Sequence, residues 1–189
     1  MSTPTNAALL LIDHPSGRVQ SVQDMPFNAK QKEVTEESPN ARLVRDFMQH
    51  YADLASFDRY LAPDIEYISL NWENPELRRI MPWAGSHKGI AAFRECAEKI
   101  AASWDILSFD FERVMAEGDD VAAFGRFAYE TKILKQRTHS PFAIWAKVRD
   151  RKIHFFQFLE DTYSTSTSFR KRGSWSVSNA NGESEVGTE

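Results

Sequence analysis

Hydrophobic and polar positions change period several times along the chain. Behind Ser38-Pro39, a capping serine followed by a first-turn proline, Leu43, Val44, Phe47, Met48 and Tyr51 recur at helical spacing, which predicts a helix over Pro39–Tyr51. A short helix over Ala55–Leu61 is predicted to end at Ala62-Pro63, because proline disfavours helical backbone in the residue before it. Ile65–Asn71 alternates and reads as a strand, and Trp72–Ser86, broken by Pro75, Pro82 and Gly85, reads as a loop. Helical spacing returns over Ile90–Ser103, with Ile90, Phe93, Ala97 and Ile100 on one face. Trp104–Glu117 alternates again. Three further strands follow as a meander over Asp120–Thr131, Ser140–Arg149 and Lys152–Thr162, rich in β-branched and aromatic residues. Strands of this length exceed the usual ~5–6 residues. Long strands curl, and a curled sheet has a concave face. The expected fold class is α+β: helices packed on a curled antiparallel sheet with an internal pocket.

The same pattern divides the chain. Residues 1–37 are polar, with several breakers, and are expected to form an irregular extension. Residues 38–169 carry the domain. Residues 170–189 are nearly devoid of apolar side chains and are expected to be a disordered tail.

Composition narrows the chemistry. A chain of 189 residues suits one domain with tails. A net charge of -4 without a Lys/Arg-rich stripe argues against a nucleic-acid partner. No apolar run approaches the ~18 residues of a membrane span, so no membrane association is expected. A single cysteine, Cys96, rules out an internal disulfide and fits a reducing, cytoplasmic compartment. The histidines lack the spacing of a metal site, and there is no glycine-rich phosphate loop, so neither metal nor cofactor is expected. Thirteen Phe and five Trp fit an aromatic-lined cavity or an ordinary large core equally well.

Four stretches in order, ADLASFDRYLAPDIEY (Ala52–Tyr67), MPWAGSHKGIAAF (Met81–Phe93), EGDDVAAFGR (Glu117–Arg126) and IWAKVRDRKIHFF (Ile144–Phe156), give the chain a resemblance to the nuclear transport factor 2-like superfamily. The likeness is to its SnoaL-like and ketosteroid isomerase-like branch. It implies a cone, with the sheet wrapped on N-terminal helices and a pocket at the wide end. Several family roles are vacant. The isomerase base falls at Ser69, the protonated acid at Ala143, and the tyrosine near Arg45. Epoxide hydrolases of this shape flank an arginine, here Arg126, with two acids that fall at Ala128 and Phe158. The acid of SnoaL-like cyclases also falls near Phe158.

Placing Ala128, Ala143 and Phe158 inward by that resemblance brings their alternate neighbours inward too. The expected lining is Phe124 and Arg126, His139 and Trp145, Phe156, Phe158 and Glu160, with Tyr67, Ser69 and Asn71 from the first strand. Tyr51 and the loop residue Trp83 join them. His139 is the candidate base, Arg126 the candidate anion stabiliser, and Tyr67 a candidate hydrogen-bond donor. Phe127, Tyr129, Phe142, Ile144, Phe155 and Leu159 then face outward, an apolar surface that implies a homodimer. The resulting expectation is a cofactor-independent lyase, dehydratase or isomerase acting on a small aromatic or polycyclic substrate. A non-catalytic binding protein of the same fold and a dimeric interaction module remain the alternatives.

Overall fold

A computed structural model describes residues 37–188. The expectation for the N-terminal extension therefore lies almost wholly outside the described residues. The chain runs α1 (Pro39–Gln49), a 3₁₀ turn (Leu54–Ser56), α2 (Phe57–Tyr60), β1 (Leu61–Ser69), α3 (Pro75–Ile80), β2 (Gly85–Lys88) and α4 (Ile90–Ser103). It continues through β3 (Trp104–Glu117), β4 (Asp120–Thr131), β5 (Arg137–Arg149), β6 (Lys152–Glu160), α5 (Thr162–Thr167), β7 (Gly173–Asn179) and β8 (Gly182–Thr188). The fold is α+β. Six strands form one sheet in the order β2-β1-β6-β5-β4-β3, and β7 and β8 form a separate hairpin.

The local causes match the sequence where the signals are strong. Ser38 caps α1 by accepting from the Ala41 amide at 3.1 Å, and Ala41, Val44 and Phe47 form the buried stripe. Phe93, Cys96 and Ala97 are the buried face of α4. Phe47 then meets Tyr51, Phe57, Tyr60, Phe93 and Phe156 with ring centroids 5.4 to 5.9 Å apart, mostly edge to face. This cluster locks α1 and α4 onto the concave side of the sheet.

Three parts of the architecture differ from expectation. First, the sheet is mixed: β1 pairs parallel with β6, while every other neighbour is antiparallel. Second, the stretch read as a loop contains α3, whose start is capped by Asn74 accepting from the Leu77 amide at 2.9 Å, and the edge strand β2. Third, residues 173–188 are a paired hairpin in place of a disordered tail. Its turn is Ala180-Asn181, closed by the Asn179–Gly182 pair, and Trp175 faces Val186 across the strands. Arg170 lies over the Trp175 ring at 4.3 Å, so even this polar segment has one packed contact.

Gly125 decides how the concave face is tiled. A Cβ there would run into the Asp110 carbonyl and come 2.5 Å from Phe142 Cζ. With glycine, the Phe142 ring lies down across β4 and stacks on Phe109 at 4.4 Å and 18°. The rings pave the sheet, and the space above them stays open.

Candidate active site

That space is a cavity of about 870 Å³ between the helices and the sheet. Met48, Gln49, Tyr51 and Leu54 line it from α1 and the turn after it, and Ala97 and Ile100 from α4. The sheet supplies Tyr67, Ser69, Phe109, Phe111, Tyr129, Phe156, Phe158 and Glu160, with Trp83 and Trp104 closing the side. Aromatic walls with few polar groups are the usual make-up of a small-molecule site.

The polar groups converge from different elements. Tyr67 projects from β1 and stacks on Phe93 with centroids 3.8 Å apart and planes within 8°. Behind it, the His87 ring is 5.8 Å away, held by an Nε2 contact with the Trp83 carbonyl at 2.9 Å; burial lowers its pKa. Glu160 ends β6 and is partly buried. Thr165, fully buried on α5, donates its hydroxyl to Glu160 Oε1 at 2.6 Å. Burial pushes the Glu160 carboxyl up to about 7, against the Thr165 hydrogen bond and with a further rise from Asp161. Burial also raises the Tyr51, Tyr67 and Tyr129 hydroxyls, and the Glu160 charge adds to the rise at Tyr129 and Tyr67. Three protonated phenols thus share the cavity with one carboxyl poised near neutrality.

Of the residues singled out from sequence, Tyr51, Tyr67, Ser69, Trp83, Phe156, Phe158 and Glu160 line this cavity. Five do not. Arg126 is 55% exposed on the outer face and pairs with Glu112 at 2.6 Å. His139 is exposed on the same face, opposite Ala128. Phe124 and Trp145 are 43% and 40% exposed, and the Trp145 indole donates to Asp120 at 2.7 Å. The structure thus inverts the expected facing of β4 and β5. There the buried residues are Val121, Ala123, Gly125 and Phe127 with Phe142, Ile144 and Ala146, and a slip of one residue exchanges the two faces of a strand. Phe127, Tyr129, Phe142 and Ile144 accordingly turn inward. Asn71 leaves the cavity for a different reason. Leu70 has φ of 69°, and the Asn71 amide donates back to the Ser69 carbonyl at 2.9 Å. This tight, strained turn ends the alternation of β1 at Ser69.

Tyr129, Phe109 and Phe111 line the cavity without having been expected there. The small pair Ala123 and Gly125 was the available signal, since small side chains on a strand face mark where large rings from neighbours lie. Among the described residues, no group of three or more His, Cys, Asp or Glu side chains is gathered as for a metal ion, and no helix is long and apolar enough to cross a membrane.

Several known proteins are similar to this chain. Patulin synthesis protein F of Aspergillus clavatus is 38% identical over 109 residues, which make up 56% of this chain and 55% of that protein. The chain thus matches just over half the length of this curated relative. A nuclear transport factor 2-like protein of Burkholderia xenovorans superposes with a TM-score of 0.59 at 22% identity, covering 69% of this chain and 95% of that one. TerC, crystallised with polyporic acid, superposes with a TM-score of 0.57 at 17% identity, covering 71% and 100%. At these identities the structural likeness is one of fold. Residues 42–157, more than half of the chain, match the SnoaL-like domain model, and the protein belongs to that family.

Proposed function

We propose that the protein is a cofactor-independent enzyme of the isomerase or cyclase type, acting on a small aromatic or polycyclic carbonyl compound. The observation that carries this reading is Glu160: a carboxyl with a pKa of about 7 inside an aromatic cavity that also holds three protonated phenols. A base works best when its pKa lies near the working pH. The ionised carboxylate takes a proton from a carbon beside the carbonyl, and the electron pair moves onto the carbonyl oxygen. Tyr67 or Tyr129 donates to that oxyanion. Glu160 then returns the proton at another carbon, giving an isomer, or the enolate carbon bonds to a second carbonyl carbon of the same molecule, whose π pair moves onto its oxygen and takes the proton from Glu160, giving a ring.

Glu160 lies two residues beyond Phe158, the position at which the resemblance leaves an acid vacant, and on the same face of β6. One relative is named for patulin synthesis, which is consistent with a small-molecule substrate. The outer face of the sheet, with Phe124, Trp145 and Leu159 each at least 40% exposed, supports a homodimer through this surface.

Deuterium wash-in at carbons next to carbonyls, followed by proton magnetic resonance over a panel of aromatic ketones and quinones, tests the reaction before any one substrate is identified. Glu160→Gln is expected to slow exchange by ~10²–10⁴, the usual contribution of a positioned base. Tyr67→Phe is expected to slow it less. Equal exchange by wild type and Glu160→Gln would remove the enzyme reading in this form and favour the binding-protein alternative.

A further inference from the structure

Among the described residues that line the cavity, Arg45 is the only lysine or arginine, whereas Glu98, Asp110 and Glu160 bring acids to it. Its Nε donates to Glu37 Oε1 at 2.9 Å, and its guanidinium carbon lies 5.2 Å from the centre of the Phe111 ring. No other hydrogen bond meets Arg45 among the described residues, so the end-on fork of its two terminal nitrogens remains for a ligand. That fork matches a carboxylate in planar, two-bonded fashion.

The register of the sheet locates Arg45 relative to Glu160. Phe111 pairs with Gly125, Gly125 with Phe142, and Phe142 with Glu160. Phe111, beneath Arg45, and Glu160 are therefore the two ends of one row across four strands. Three strand spacings of ~4.8 Å put them ~14 Å apart along a flat sheet, and the curl of the sheet shortens this. The row between them holds only glycine and a phenyl ring. Beside it, Phe142 stacks on Phe109 at 4.4 Å and on Phe158 at 5.6 Å, with ring planes within 21°. The cavity thus has a cation at one end, a titrating carboxyl at the other, and a flat apolar strip between.

We propose that the substrate is an elongated aromatic acid, two or three rings long, whose carboxylate docks on Arg45 while the reacting carbonyl end meets Glu160 and the tyrosines. This rests on the Glu160 reading for the reacting end and adds the recognition of the other. A one-ring acid is too short to meet both ends.

Isothermal titration calorimetry with 4′-hydroxybiphenyl-4-carboxylate, its carboxamide and the one-ring 4-hydroxybenzoate tests it. Wild type is expected to bind the biphenyl acid at least ~10-fold tighter than the amide, the loss typical of one charge-assisted contact. Arg45→Met should erase that preference while leaving amide affinity within about twofold. Arg45→Lys, which keeps the charge, should retain part of it and guards against a simple folding defect. The one-ring acid, which reaches only one end of the cavity, should bind at least ~10-fold more weakly than the biphenyl acid. An acid that binds no tighter than the amide, a preference that survives in Arg45→Met, or no binding of either biphenyl probe would each overturn the proposal. Glu160→Gln should leave the acid-to-amide ratio intact. Loss of acid preference with Glu160-dependent deuterium exchange retained would therefore sink this inference alone.

Discussion

Glu160 makes a stability prediction that needs no substrate. Replacing it by glutamine removes the titrating group and keeps an oxygen for the Thr165 hydroxyl, which donates to Oε1 at 2.6 Å. The carboxyl has an ordinary value of 4.5 and is pushed up to about 7 in the fold, mainly by burial. A tenfold change in proton affinity is about 1.4 kcal/mol, so folding disfavours the ionised form by about 3 kcal/mol. The folded state binds this proton more tightly than the unfolded chain does. The corresponding stability is fully present below pH 4.5 and is lost as the pH climbs to about 7, after which the deficit is constant. Relative to wild type, Glu160→Gln should therefore gain about 3 kcal/mol between pH 4.5 and pH 8, or ~6–12 °C in melting temperature for a domain of this size. Denaturant unfolding of both proteins across that range, with linear extrapolation, reads the difference directly. Because the variants share every other titrating group, subtraction isolates Glu160. Parallel stability curves would show that the carboxyl titrates normally, and the case for a poised base would fall with them.

Other substitutions separate core, surface and site. Phe47→Ala removes the ring at the centre of the aromatic cluster and should destabilise the domain by ~3–5 kcal/mol in denaturant unfolding. Arg126→Ala breaks only an exposed ion pair, so stability should change by less than ~1 kcal/mol, and neither it nor His139→Ala should alter deuterium exchange. Trp145→Glu places a charge on the outer sheet face, and light scattering should report a shift from twice the 21.7 kDa chain mass to a single copy.

The sequence revealed elements more readily than facing. The boundaries of α4 and β3 follow directly from periodicity, because each has one dominant apolar face bounded by a glycine or a turn. β4 and β5 do not. Phe124 and Phe127 have opposite parity, as do Trp145 and Ile144, so both faces of these strands look buried. An aromatic surface outside the cone mimics the core inside it, and only the pairing register tells them apart. On β6 the parity of Phe156, Phe158 and Glu160 was legible. The proton-transfer reading of Glu160 was not, because it depends on Thr165 and on three tyrosines from distant elements. The hairpin of residues 173–188 was written in alternating Trp175 and Val177 and in Asn181-Gly182, but its polar composition pointed to disorder.

The parallel pairing of β1 with β6 also sets when the site comes into being. Tyr67 lies beside Phe156 and Ser69 beside Phe158, so residues nearly ninety positions apart share the cavity floor. The β3–β4, β4–β5 and β5–β6 ladders close over short turns, whereas the β1–β6 seam requires β6 to be present and a long loop to close. During synthesis the helices and β1 emerge first and hold an unfinished aromatic surface until β6 leaves the ribosome. The cavity, with its base on β6 and a phenol on β1, thus cannot be complete until β6 has been made and has paired with β1. A nascent chain truncated before Glu160 has neither a complete sheet nor a proton acceptor in place.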